Sequence, residues 1–316
     1  MNYPYAVGNI KAVESRIFDK GKYAKLIRAE KNDFLKTLKE LGYATTVNSD
    51  NLEDLINHEL GALKVYFDEI SPNKRLTDLF FLANDATNIK IIFKKRVFNI
   101  AEFDAFSHTG SIDPEMLEKA IFSQDYSLLS KDEQNLMRAI EKQIAGLTSA
   151  RLISSAIDNV IYDYIFEQMG KMSARALRHY FQAVVDTTNV MSWLRCRLLE
   201  WDVKEFETMF INHGMIKKEL FVESFSMNKD AALRVFMEFY HEKIMKALKA
   251  YFERPRLNQM EKQLDLLVLD VMREEKNDSF SIGPIIYYYL QKISEAKNIR
   301  MIFASTYFDP NDLLDY

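Results

Sequence analysis

Phe80-Phe81-Leu82-Ala83-Asn84-Asp85-Ala86-Thr87-Asn88-Ile89-Lys90-Ile91-Ile92-Phe93 is the stretch from which the fold can be read, because the chain returns to it twice. The second copy is Phe181-Gln182-Ala183-Val184-Val185-Asp186-Thr187-Thr188-Asn189-Val190-Met191-Ser192-Trp193-Leu194, and the third is Leu290-Gln291-Lys292-Ile293-Ser294-Glu295-Ala296-Lys297-Asn298-Ile299-Arg300-Met301-Ile302-Phe303. Aligned on the asparagine, an acid stands three residues before it (Asp85, Asp186, Glu295) and a β-branched aliphatic one after it (Ile89, Val190, Ile299). Large apolar residues follow at four and five: Ile92 and Phe93, Trp193 and Leu194, Ile302 and Phe303. Offsets of one, four and five share one face of a helix, and acid and asparagine, three apart, share another.

The asparagines lie roughly a hundred residues apart, about the size of a small domain and too long for a solenoid repeat. The spacing predicts three copies of one helical unit, at 1–125, 126–226 and 227–316, packed as one body. Three like units invite a pseudo-threefold, funnel-like arrangement.

Composition narrows the class. Of 316 residues, 48% are hydrophobic and 28% charged, the balance of a folded chain rather than a disordered one. Nine glycines and six prolines are under half the usual share, which argues against a many-stranded β protein and for an all-α one. A net charge of −4 disfavours an electrostatic grip on nucleic acid. One cysteine, Cys196, precludes a disulfide framework within the chain and fits a reducing cytoplasm. The first residues lack a signal-peptide pattern. The apolar run Ile285–Leu290 is far short of the ~20 residues of a spanning helix.

Helix punctuation is legible along the chain. Ile10, Val13 and Ile17 keep helical spacing, Gly21 is expected to break that helix, and Gly42 to end the next. Asp50 with Glu53, and Ser130 with Glu133, read as capping boxes. Asp113-Pro114-Glu115 reads as cap, first-turn proline and acid, and Ser173 as the cap of the helix carrying Asn189. Ala231, Leu233, Val235, Phe236, Phe239 and Tyr240 pattern a helix ended near Arg254-Pro255. Gly283-Pro284 opens the last core helix. The turns after the first two core helices also match: in Ser107–Ile112 and in Asn212–Ile216 a glycine is followed two residues later by isoleucine. The third copy is expected to lack this turn.

Catalytic motifs are absent. There is no GxGxxG, phosphate-binding loop or HExxH. Glu238-Phe239-Tyr240-His241 matches one Glu-x-x-His of a di-iron bundle, but such sites need two, with two further Glu. Cys196 reads as a buried small hydrophobe. The acid–asparagine pairs admit two readings. In one, each asparagine makes an interhelical or capping hydrogen bond that locks its unit, the usual fate of buried polar groups. In the other, the core helices present Asp85, Asn88, Asp186, Asn189, Glu295 and Asn298 to a partner. The nearby bases Lys90, Arg195 and Arg300 are either an ion-pair lattice or a rim for an acidic partner. An all-helical enzyme using Asp85, Asp186 and Glu295 as acid/base groups in a central hole, or a general helical adaptor, are the competing functional classes.

The opening Tyr3-Pro4-Tyr5 with Asn9–Arg16, the three asparagine-centred helices and the Gly-x-Ile turns resemble the central-stalk C subunit of bacterial and archaeal V/A-type ATPases, called the d subunit in eukaryotes. The resemblance covers the whole chain. It implies a three-unit funnel that sits on the membrane rotor ring (the c/K-type ring), receives the shaft made of subunits D and F, and carries torque for Na+ or H+ transport. It implies a cytoplasmic protein peripheral to the membrane, with no active site, no nucleotide or other cofactor, no metal, no small-molecule substrate and no nucleic acid. One departure is that Met191 stands where the other copies have Lys90 and Arg300, so threefold charge symmetry is broken.

Overall fold

The computed structural model describes residues 2–100, 106–172, 174–310 and 313–314. Among them every regular element is helical, so the all-α expectation holds. In chain order the helices are α1 (Tyr3–Val13), α2 (Lys20–Arg28), α3 (Phe34–Glu40), α4 (Leu52–Ile70), α5 (Lys74–Phe98), α6 (Pro114–Ser123), α7 (Lys131–Ile144), α8 (Ala150–Gly170), α9 (Arg175–Leu198), α10 (Val203–Met209), α11 (Lys218–Phe225), α12 (Lys229–Val235), α13 (Lys243–Glu253), α14 (Leu257–Glu275) and α15 (Gly283–Ala304). Short 3-10 turns occupy Glu14–Arg16 and Tyr240–Glu242. The three repeated stretches are α5, α9 and α15.

Several ends fall where local chemistry puts them. Both arms of the Ser130–Glu133 capping box are made. Asp113 caps α6 by accepting from Met116 N, with Pro114 at the first helical position. Gly42 follows α3 at φ +91°, and its N–H and that of Tyr43 close onto the carbonyls of Lys39 and Leu38.

Other ends differ. Gly21 breaks nothing. It lies in the first turn of α2, which Asp19 caps by accepting from Lys22 N at 2.8 Å. The break comes earlier, at residues 14–19, where the Phe18 N–H donates to Glu295 rather than into a helix. Asn51, not Asp50, caps α4: its extended backbone lets the side chain accept from Glu53 N at 2.8 Å. The helix expected from Asn228 to Arg254 is two helices, α12 and α13, separated by residues 236–242, of which Tyr240, His241 and Glu242 have positive φ. Ser173 lies outside the described residues.

Contacts gather the chain into two compact units, Met1–Thr77 with Met272–Tyr316, and Asp78–Val271. In the first, α1 and α4 pack on α15, where Phe67 meets Tyr288 and Tyr289 edge-on, and Phe18 sits between Tyr23 and Tyr43. In the second, α7 packs on α8, and α10 packs on both α8 and α9. An aromatic chain of Phe206, Phe210, Phe221, Phe236 and Trp193 fills the space under α9 to α12. Each ring so buried contributes on the order of 2 kcal/mol. The Arg197 guanidinium lies over Trp193 at 4.7 Å and donates to the carbonyls of Ser224 and Met227.

Candidate functional site

The acid and asparagine of each core helix are wholly buried: Asp85, Asn88, Asp186, Asn189, Glu295 and Asn298 all have 0% exposure. What each touches follows from helical spacing. Three residues apart, acid and asparagine project from one face and reach the same neighbouring loop.

The asparagines act alike. The Asn88 amide donates to the Ser107 carbonyl at 2.7 Å and its oxygen accepts from Ser107 N at 2.9 Å. Asn189 does the same to Ile211, at 2.8 and 2.9 Å. Asn298 does the same to Leu314, at 3.2 and 2.8 Å. A carboxamide is the side chain that can give and accept at once, so one asparagine satisfies both polar groups of one backbone residue.

The acids hold the next turn. Asp85 accepts from Ser111 N at 2.8 Å and Ile112 N at 3.1 Å. Asp186 accepts from Met215 N at 2.8 Å and Ile216 N at 3.1 Å. The glycine of each turn has a physical reason: a side chain on Gly110 would overlap Asp85 Oδ1, and one on Gly214 would overlap Asp186 Oδ1. The Gly-x-Ile pattern therefore marks the point where backbone touches a buried carboxylate.

The third copy does not lack its turn; the chain termini supply it. Glu295 Oε2 accepts from Phe18 N at 2.6 Å, and Asn298 grips Leu314. Phe18 stands where Ile112 and Ile216 stand. The next residue, Asp19, caps α2 as Asp113 caps α6.

The three bases are ion-paired to a neighbouring long helix. Lys90 reaches Asp158 of α8 at 2.8 Å, Arg195 reaches Glu261 of α14 at 2.6 Å, and Arg300 reaches Glu53 of α4 at 2.6 Å. Arg195 lies one helical turn past Met191, so the second copy makes its pair from the same face by a different residue.

Charge is managed differently among the acids. Burial pushes the Asp186 carboxyl up to about 6, against three hydrogen-bond donors that pull it down: Tyr240 Oη at 2.5 Å and the Ile216 and Met215 amides. Burial also raises Glu295, and Lys292 opposes it. Lys292, 2% exposed, pairs with Glu295 and, at 2.9 Å, with Glu59, while its ammonium lies 4.9 Å from the Tyr43 ring centroid. Sequence reading missed Lys292 and Tyr240, as it missed the clamped backbone at Ser107, Ile211, Phe18 and Leu314. Lys292 lies three residues before Glu295, a spacing that could have marked the pair; nothing local marks Tyr240. Cys196 is buried as expected, and burial raises its thiol to about 11.

Among the described residues, no group of His, Cys, Asp and Glu could hold a metal, and no helix is long and apolar enough to cross a membrane.

The family model described as ATP synthase (C/AC39) subunit matches residues 6–315. The C subunit of the A-type ATP synthase of Haloquadratum walsbyi is 24% identical, over 95% of this chain and 93% of that protein. Those of Methanosarcina barkeri and Thermococcus onnurineus are each 22% identical, over 96% and 95% of this chain and 88% and 85% of theirs. The clamps thus occur in a chain matched along nearly its whole length, and that match places it: the chain belongs to the ATP synthase (C/AC39) subunit family.

Proposed function

We propose that this chain is a non-catalytic central-stalk subunit of a V/A-type rotary ATPase, a socket between the D/F shaft and the membrane rotor ring that transmits torque for Na+ or H+ transport. The observation that carries the reading is the whole-length family match. The clamps support it by their chemistry. A coupling element must not yield under load, and each clamp ties the loop beyond a core helix to that helix by buried, fully paired hydrogen bonds. Three such units, over 1–125, 126–226 and 227–316 with the third closed by the N-terminal segment, arranged as a pseudo-threefold funnel, form the socket.

The named residues serve in two ways. Asp85, Asn88, Asp186, Asn189, Glu295 and Asn298 position the loops. Lys90, Arg195 and Arg300, with 25%, 52% and 41% of their side chains exposed, meet the acidic groups of the partner by exchanging ion pairs. Large apolar side chains also stand exposed nine or ten residues past each asparagine, at Val97 and Phe98, Leu198 and Leu199, and Tyr307, and give the partner an apolar contact.

Native mass spectrometry of the chain mixed with the shaft subcomplex of the same organism tests the reading. A discrete 1:1 species is expected, weakened by raised salt and by Arg195→Glu. Two separate, unmixed masses at micromolar concentration and low salt would overturn it in favour of an enzyme or a general adaptor.

A further inference from the structure

We propose that residues 229–253 are a two-state element: a bent helix pair held by the Tyr240–Asp186 hydrogen bond, which becomes one continuous helix when that bond is released. The inference stands independently of the partner's identity.

The sequence of this segment describes a single helix. It contains neither glycine nor proline, and Ala232, Phe236, Tyr240, Ile244, Ala247, Leu248 and Tyr251 recur at intervals of three and four through its length. The structure instead stops α12 at Val235 and starts α13 at Lys243. Tyr240, His241 and Glu242 between them take φ of 52°, 52° and 63°, the left-handed region that side chains with a Cβ disfavour. Among the described residues the other non-glycine positions of positive φ stand singly, at Ala44, Asn99, Gln124, Glu200 and His213. Three in succession, in a segment whose local preference is helical throughout, is a conflict between local and tertiary forces, and such conflicts mark places where structure changes.

The tertiary force has a visible component. The Tyr240 hydroxyl donates to Asp186 Oδ2 at 2.5 Å, a bond to a buried carboxylate in a poorly polarisable surrounding. Continuing the helix through Phe236–Glu242 would form the missing backbone ladder and relieve three left-handed residues, and it would withdraw Tyr240 from Asp186. The Glu242–Lys246 ion pair, at helical spacing, survives in either form. Because Asp186 also holds the Met215–Ile216 turn, a ligand that takes over this carboxylate or moves that turn shifts the bend.

Spin labels at Arg234→Cys and Lys249→Cys, both exposed positions, report the state in the full-length chain by double electron–electron resonance; Cys196 is buried and stays unlabelled. In a continuous helix the two backbone positions are ~22 Å apart, and the bend shortens this. Tyr240→Phe is expected to raise the ratio of straight to bent on the order of tenfold. Adding His241→Gly and Glu242→Gly, which make the left-handed turn costless, is expected to return the chain to the short distance. A short distance in Tyr240→Phe with only a lowered melting temperature would make the bond a static brace and overturn the proposal. So would a straight population in Tyr240→Phe that the two glycines leave unchanged.

Discussion

The second and third clamps do the same work with different means. At Asp186 and Asn189 every partner comes from the chain that follows, Ile211 to Ile216 and then Tyr240, and Gly214 lets the backbone press against a short carboxylate. At Glu295 and Asn298 the partners come from opposite ends of the sequence, Phe18 and Leu314. There the acid is one methylene longer and no glycine attends it. The exposed Arg16 stands where Gly110 and Gly214 stand. The charge is also met differently, by three neutral donors at Asp186 and by the buried ammonium of Lys292 at Glu295. A repeat thus preserves the bond pattern and lets the residues that complete it vary in type and in their separation along the sequence.

The sharpest way to break the comparison is Lys292→Met. It leaves Glu295 and Glu59 buried or half-buried without their cation, and a loss of about 3–5 kcal/mol in urea unfolding at neutral pH is expected. An unchanged midpoint would mean that Glu295 is held neutral, as burial alone favours, and that Lys292 is not what meets its charge.

The second test separates them by pH. The folded carboxyl of Asp186 is raised from its ordinary 3.8 to about 6, so between these values the native state holds a proton that the unfolded chain has released. Its contribution is therefore fully present below about pH 4 and lost as pH rises through 6, by up to about 3 kcal/mol. Asp186→Asn should remove this slope, so that the difference in stability between wild type and variant changes from pH 4 to pH 7. Parallel curves would show that the three donors keep Asp186 ionised throughout.

The smallest effect sharpens the geometry. Gly110→Ala and Gly214→Ala should each cost about 2 kcal/mol, by driving a carboxylate off two backbone amides. Arg16→Ala, at the corresponding place in the third clamp, should change stability by under ~0.5 kcal/mol. Equal losses at all three positions would refute the claim that the longer acid dispenses with the glycine.

Much of this is legible in the chain alone. The repeat, the burial of its apolar face, the turn glycines and the capping box at Ser130 all come from spacings of a few residues, the range over which backbone and neighbouring side chains interact. Apart from the α4 cap, which shifts by one residue from Asp50 to Asn51, the readings that fail do so where distant residues prevail. Gly21 is expected to end a helix that Glu295 has already ended by drawing off the Phe18 amide. The partners of the asparagines can be narrowed to a structural bond or an exposed contact, but Ser107, Ile211 and Leu314 carry nothing in their own identity that marks them, because it is their backbone that is bound.

By itself, the sequence determined that the chain is helical, that three of its helices carry one acid–asparagine pattern, and that two of these are followed by a matching Gly-x-Ile turn. These are consequences of periodicity, composition and local sterics. Tertiary structure decided that the two ends of the chain complete the third pattern, across a separation of 277 residues at Glu295 and Phe18. It also decided that a segment patterned as one helix is bent at Tyr240, which Asp186 engages from 54 residues away. The reason is the same in both cases: a single buried carboxylate in a poorly polarisable interior must find donors, and it outweighs the weak preferences of the few residues that supply them.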